Sequence, residues 1–446
     1  MKNLFVLVNL VGRALILLVL VQFAMLDAHG QKAPSKAERE QARAMLSTLK
    51  HELQKNYYDP TFHGMDLEGR FKAANEKLDQ AVSLAQLLGI VGQVLLDLND
   101  SHTFFLPPGR TYQTDYGWQM QAIGDRVFVV AVKPGSDAEA KGLKAGDEVY
   151  SVDGLQPTRD NMWKLRYLYQ AIRPRPGMRV IVLRPDGKQD QLDVAARIRQ
   201  GKKLLDLTAS GQGYDTGDLI REAENEARLH RHRYVETDDM FIWKMPAFDL
   251  EKLKVDEIMG KVKNRKALVL DLRGNGGGYE ETLLRLLGHF FDHDIKLGEL
   301  KRRKETKPMI ARTRGKDLYG GKLIVLIDSE SGSASELFAR VIQLEKRGTI
   351  IGDRSAGAVM RSRQYGHDLG VDIVIPYGVS ITDADIIMTD GQSLEHTGVQ
   401  PDELKLPTGV DLATKRDSVL AYAISLAGGS ITAEKAGSLF PLEWKK

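Results

Sequence analysis

Three stretches of the chain hold residue types that can carry covalent chemistry. Asp328-Ser329-Glu330-Ser331-Gly332-Ser333-Ala334-Ser335-Glu336 follows an apolar run and opens a helical pattern. A serine on a strand-to-helix turn sits at the end of a sheet, beside helix N-terminal amides that can stabilise a developing oxyanion. The same letters also spell an ordinary capping box, in which Ser and Glu satisfy the first amides of a helix. Asp271-Leu272-Arg273-Gly274-Asn275-Gly276-Gly277-Gly278 follows a second apolar run. Consecutive glycines let backbone N–H groups approach a ligand closely. No Gly-Lys-Ser/Thr follows, so this is not a phosphate loop, and the dinucleotide fingerprint does not fit either. A tight strand-helix turn reads equally well. Asp100-Ser101-His102 offers an imidazole that is either a base or a satisfied structural group. His230-Arg231-His232 alternates histidine with a cation in a polar stretch, which reads as a solvated basic face and not a metal site.

Composition narrows the chemistry. The chain has 446 residues, 42% hydrophobic and 28% charged, a globular composition with length for two or three domains. Its net charge is +3 with no block of like charge, which leaves neither nucleic acid nor an anionic membrane as the main partner. It has no cysteine. Disulfides, a thiol nucleophile, thiolate metal sites and cysteine lipidation are thereby excluded, and a nucleophile must be Ser, Thr, Lys or a carboxylate. Lys2 and Arg13 precede an apolar run from Ala14 to Leu26, then small residues at Ala28 and Gly30. Residues 1–30 read as a secretory signal peptide, giving an exported protein in the periplasm or outside the cell. As a helix the run rises about 20 Å, short of the ~30 Å hydrocarbon core, so a membrane enters only if the segment stays uncleaved.

The elements that must position these residues follow from periodicity. Ala42, Met45, Leu46, Leu49 and Leu53 recur at helical spacing after the Ser35-x-x-Glu38 capping box, and Tyr57-Tyr58-Asp59-Pro60 ends that helix. A second helical stretch from Leu84 to Leu96 runs into Asp100-Ser101-His102, so residues 31–114 form an N-terminal helical part. From 115 to 200 short β-rich runs such as Val127–Val132 and Val180–Leu183 alternate with Gly-containing turns, as expected of a small inserted β domain. Residues 201–236 read as a polar linker. Beyond them, in 237–430, strand candidates at 241–243, 267–270, 323–327 and 349–351 alternate with helices at 280–291 and 334–345, an α/β layer arrangement.

Taken in order, the motifs resemble one family. Tyr57-Tyr58-Asp59-Pro60, Asp97-Leu98-Asn99-Asp100-Ser101-His102-Thr103, Lys144-Ala145-Gly146-Asp147-Glu148-Val149, the Asp271–Gly278 loop, Ser331-Gly332-Ser333-Ala334-Ser335-Glu336 and Leu394-Glu395-His396-Thr397-Gly398-Val399-Gln400-Pro401-Asp402 resemble the C-terminal-processing (tail-specific) serine peptidases and the related tricorn core. The resemblance spans about residues 40–405. It implies an α/β (α+β) fold, a ClpP/crotonase-like ββα protease core at 237–430 with a PDZ domain inserted at 115–200. Tyr116, Gly117 and Trp118 fall where such a domain keeps its carboxylate-binding loop, and the expected partners are polypeptides recognised by their C-termini.

The resemblance makes Ser333 the nucleophile, with an oxyanion hole from the Ala334 amide and one from the Gly276-Gly277 turn. One branch of the family activates its serine with a lysine, but Ala358 occupies that position here. The tricorn-like branch uses a Ser-His pair and a distant Glu, which map to Ser101, His102 and Glu395. No metal or other cofactor is implied. The expectation is an exported serine endopeptidase; the alternative is a catalytically silent relative that binds peptides or apolar ligands.

Overall fold

The computed structural model describes residues 33–110, 112–200, 231–370 and 374–444. The expected signal segment 1–30 and the linker through residue 230 lie outside the described residues. Strand Ala267–Asp271 is buried at every position, and its neighbours are nearly so, because both faces of their sheet are covered. That sheet has six strands, in the order Glu403–Leu404, Thr349–Gly352, Lys322–Ile327, Ala267–Asp271, Met240–Lys244 and Arg233–Glu236. All pairs are parallel except the last. Arg233–Glu236 corrects the expected linker boundary: the polar segment ends as an edge strand, its alternating exposure being the mark of a half-covered edge.

One face packs against the helices Lys252–Val262, Glu280–Leu287 and Ala334–Leu344 through Trp243, Phe248, Leu270 and Phe338. The other is covered by Ser418–Leu426 and Ala433–Leu439. Helix Glu280–Leu287 ends four residues short of the expected 291, at Gly288, which has Arg312 O against the spot where a side chain would stand.

A second, antiparallel sheet carries the other half of the site. Its long central strand Ile375–Met388 pairs with Phe104–Leu106, Met360–Leu369 and Ile295–Lys301, and the last pairs with Thr306–Ala311. The N-terminal helices Lys36–Asn56, Leu67–Leu78 and Leu84–Leu96 bury Leu49, Leu53, Tyr57 and Leu87 against this sheet. The first helix begins at the capping box expected at Ser35 and ends before Tyr57.

The β-rich insert is a five-stranded antiparallel sheet, Trp118–Ile123, Arg126–Val132, Glu148–Val152, Gly177–Leu183 and Gln189–Ala195 in that order. A two-stranded ribbon, Tyr112–Asp115 with Arg197–Gln200, closes its base. The insert is pinned to the core by Arg159, which donates to Asp353 (2.5 Å) and to the Arg354 carbonyl (2.8 Å). Gln121 reaches Asp328, and Ser329 donates to the Ala122 carbonyl. The side chains of Arg159 and Asp353 are 8% and 7% exposed, so removing one leaves the other charge buried. Arg159→Ala should therefore cost about 3 kcal/mol and lower the thermal midpoint. Lys254→Ala, which breaks an exposed pair with Glu257, should leave the midpoint nearly unchanged.

Candidate active site

Ser333 stands between strand Lys322–Ile327 and helix Ala334–Leu344, in a backbone conformation (φ 52°, ψ −116°) that non-glycine residues rarely adopt. Such strain persists only where the surroundings over-determine it. The Ser333 N–H donates both to the Ala358 carbonyl (2.8 Å) and to Glu336 Oε2 (3.0 Å). The glycine loop is laced to the same turn: Gly332 N–H and Ser335 Oγ both donate to the Asn275 carbonyl (2.9 and 2.8 Å). A Cβ on Gly277 would fall 2.6 Å from that of Ser333, so only glycine, here at φ 103°, fits there.

The amides expected to face an oxyanion differ among themselves. The Ala334 and Gly276 N–H groups donate to no described residue. Within the Gly276-Gly277 turn the Gly277 N–H is already engaged, donating to Asn275 Oδ1 (2.9 Å). Asn275 is wholly buried and its amide also donates to the Met245 carbonyl, so this side chain shapes the loop from beneath.

Ser101, His102 and Glu395 meet although 294 positions separate the first from the last. Glu395 Oε1 accepts from the Ser101 N–H (2.9 Å) and Oε2 from the Ser101 hydroxyl (2.9 Å). Ser101 Oγ lies 2.7 Å from His102 Nδ1. A hydroxyl has one proton; given to Glu395, it leaves Oγ to accept from Nδ1–H, and the Nε2 lone pair is then free to take a proton. The two halves of the site share one peptide unit, Ala358–Val359. Its carbonyl receives Ser333 N–H and its N–H donates to Glu395 Oε2 (2.8 Å). At Ala358, where the other branch of the family carries a lysine, the chain thus offers backbone.

Burial pushes the His102 imidazole below its ordinary range, with the negative charge of Asp100 pulling part of the way back. Burial raises the Glu395 carboxyl, against the hydrogen bonds from Ser101 and Val359. Asp100 organises the turn: Oδ1 accepts from the His102 and Thr103 amides and from Thr382 Oγ1, and Oδ2 from the Tyr57 hydroxyl (2.9 Å). Glu336 is fully buried and accepts from Ser355 Oγ (2.6 Å) and the Gly357 and Ala358 amides (2.8 and 3.0 Å) as well as from Ser333. Burial lifts its carboxyl to about 7, against those hydrogen bonds.

The roles of Asp100, Asn275 and Glu336 are not evident in the sequence, although each lies inside one of the three motifs and a polar residue at a buried turn is the available signal.

In the insert, Tyr116, Gly117 and Trp118 lead into the edge strand. The Gly117 N–H donates to Asp115, the Tyr116 hydroxyl accepts from the Arg175 amide, and buried Trp118 Nε1 has no hydrogen-bond partner among the described residues. A cavity of about 2250 Å³ runs from Trp118 and Met120 on this strand to Gly276, Gly277 and Asp328 of the core. Of the basic segment, His230 lies outside the described residues and Arg231 is exposed as expected, but His232 departs from a solvated face: its side chain is largely buried, with Nε2 2.8 Å from Asp249 and Nδ1 accepting from Trp243. No group of three or more potential metal ligands occurs among the described residues, nor any helix long and apolar enough to cross a membrane.

Residues 242–404 match the model of Peptidase family S41. The chain is 26% identical over 348 residues to a tail-specific protease of Haemophilus influenzae, covering 72% of this chain and 46% of that protein. It is 24% identical over 398 residues to a carboxy-terminal processing protease of Bacillus subtilis, covering 84% and 76%. The chain thus spans about half the length of the Haemophilus relative. Among solved structures it is similar in fold to mature CPAF, with a TM-score of 0.63 at 17% identity, covering 85% of this chain and 95% of that one.

The electrostatics make a direct prediction. In NMR titration the His102 imidazole should gain its proton at a midpoint below the ordinary value of about 6.5, and remain neutral above it. Because its folded-state affinity for the proton is the weaker one, this group lowers stability as pH falls through that window. His102→Gln should remove that component of the pH dependence.

Proposed function

We propose that this chain, a member of peptidase family S41, is an exported serine endopeptidase in which Ser333 attacks the peptide bond and His102 acts as its base. The observation that carries this reading is the chain of contacts Glu395–Ser101–His102, which shares the Ala358–Val359 peptide with the Ser333 turn and, with the Ser101 proton on Glu395, would leave Nε2 as the free base. In the proposed reaction Ser333 Oγ adds to the scissile carbonyl carbon as its proton passes to His102 Nε2. The new imidazolium keeps Nδ1–H on Ser101, whose own proton points to Glu395, so the developing charge faces a carboxylate through one hydroxyl. The substrate oxyanion accepts from the Gly276 and Ala334 amides, aided by the positive end of helix Ala334–Leu344. His102 then protonates the leaving amine, the C–N bond breaks, and water repeats the sequence on the acyl-enzyme.

Substrates are polypeptides, docked in extended form along strand Trp118–Ile123 of the insert, which we read as a PDZ domain. Two features support that reading: an edge strand follows the Tyr116-Gly117-Trp118 turn, and the cavity joins this strand to the glycine loop. Export rests on the apolar segment Ala14–Leu26 after Lys2 and Arg13.

A serine-reactive fluorophosphonate should label the wild type and not Ser333→Ala, which should lose about 10⁴-fold in peptide hydrolysis. Glu395→Gln should lower kcat roughly 10²-fold. The acid limb of kcat/KM should lie below about 6.5, since activity is lost as pH falls through the lowered His102 value. Trp118→Ala should raise KM for substrates with an apolar C-terminus and leave ester hydrolysis intact. An unlabelled, inactive wild type that still binds peptides would instead make it a silent binding relative, and equal hydrolysis by Ser333→Ala would remove Ser333 as nucleophile.

A further inference from the structure

Glu336 is wholly buried, as few carboxylates among the described residues are, and the proposed mechanism gives it no proton to move. Its four hydrogen-bond partners come from two separate segments. Oε2 holds the amides of Ser333 and Ala358, and Oε1 holds Ser355 Oγ and the Gly357 amide. The first segment is the strained serine turn. The second is the loop whose next peptide, Ala358–Val359, receives Ser333 N–H and donates to Glu395. An ordinary capping-box glutamate binds only its own helix N-terminus. This one also clamps a loop on the neighbouring chain segment.

From this geometry we infer that Glu336 is a positioning residue, a carboxylate clamp that holds the Ser333 turn and the Ser355–Ala358 loop in register so that nucleophile and Glu395 arm stay aligned. The inference rests on Ser333 as the nucleophile. All four groups facing the carboxyl are donors, so the clamp needs an acceptor at both oxygens. An amide in its place supplies one acceptor and sets its NH₂ against two donors, which must move apart. Displacements of about 1 Å at a reacting centre cost on the order of 10²-fold in rate while leaving remote substrate contacts alone.

The test uses the full chain as wild type, Glu336→Gln and Glu336→Asp. Glu336→Gln should lower kcat and the fluorophosphonate labelling rate roughly 30- to 100-fold with KM within about twofold, in protein whose near-ultraviolet circular dichroism is unchanged. Glu336→Asp, which keeps both acceptors, should recover at least part of the lost rate. Should Glu336→Gln fail to fold, Ser355→Ala removes one donor from the clamp and should still lower kcat several-fold at constant KM. A Glu336→Gln protein labelled at the wild-type rate, a loss confined to KM, or a rate loss matched by the loss of folded protein would overturn the clamp. Labelling of the wild type and not of Ser333→Ala separates that outcome from failure of the serine-peptidase reading, which would take the clamp with it.

Discussion

The peptide unit between Ala358 and Val359 ties together two halves of the molecule that share no secondary structure. On its carbonyl side hangs the serine turn, held at the end of the six-stranded sheet. On its amide side hangs Glu395, and through it Ser101 and His102 at the mouth of the second sheet. A peptide group is planar and cannot rotate about its central bond, so its donor and acceptor point in fixed, opposite directions. That rigidity sets the orientation of everything bonded to it. The rest of the architecture delivers the segments to this one plane: buried parallel strands present Ser333, and packed N-terminal helices present the Asp100 turn.

Three carboxylates stand near this plane, and the structure handles each differently. Asp100 is consumed by backbone amides, Thr382 and Tyr57 and serves the shape of its turn. Glu395 keeps one oxygen on a hydroxyl that passes its influence to the imidazole. Glu336 spends all its capacity on two stretches of backbone and a serine. A buried carboxylate without partners would cost several kcal/mol, so full satisfaction is what allows three to coexist in so small a region. The weakened basicity of His102 follows from the same burial.

Much of the parallel sheet was legible, because strands buried on both faces read as unbroken apolar runs and their helices as 3.6-residue stripes. The second sheet was not. Strand Met360–Leu369 carries Arg, Gln, His and Asp without a clean alternation on a half-exposed surface, and its pairing with Ile375–Met388 depends on long-range register that a local pattern does not carry. At the site, the family resemblance carried by the motif order is what singled out Ser333, Ser101, His102 and Glu395. The convergence of Tyr57 on Asp100 and of Glu336 on the 355–358 loop was hidden, since both arise from tertiary packing. Gly277 is a subtler case: three glycines look interchangeable as letters, yet one amide is already occupied by Asn275.

The edge strand of the insert is not idle. The Met120 carbonyl accepts from Arg166 (3.2 Å), and the Ala122 carbonyl from Ser329, four residues before Ser333. A strand added along that edge competes with these two donors for the same carbonyls, so an extended ligand binds better to molecules in which the contacts have opened. The apparent affinity of any extended ligand is then its intrinsic affinity diminished by the fraction of molecules whose edge is bare. By thermodynamic reciprocity, a ligand that prefers the Ser329 loop released from the edge raises affinity at the edge by the same factor as edge occupancy raises its own.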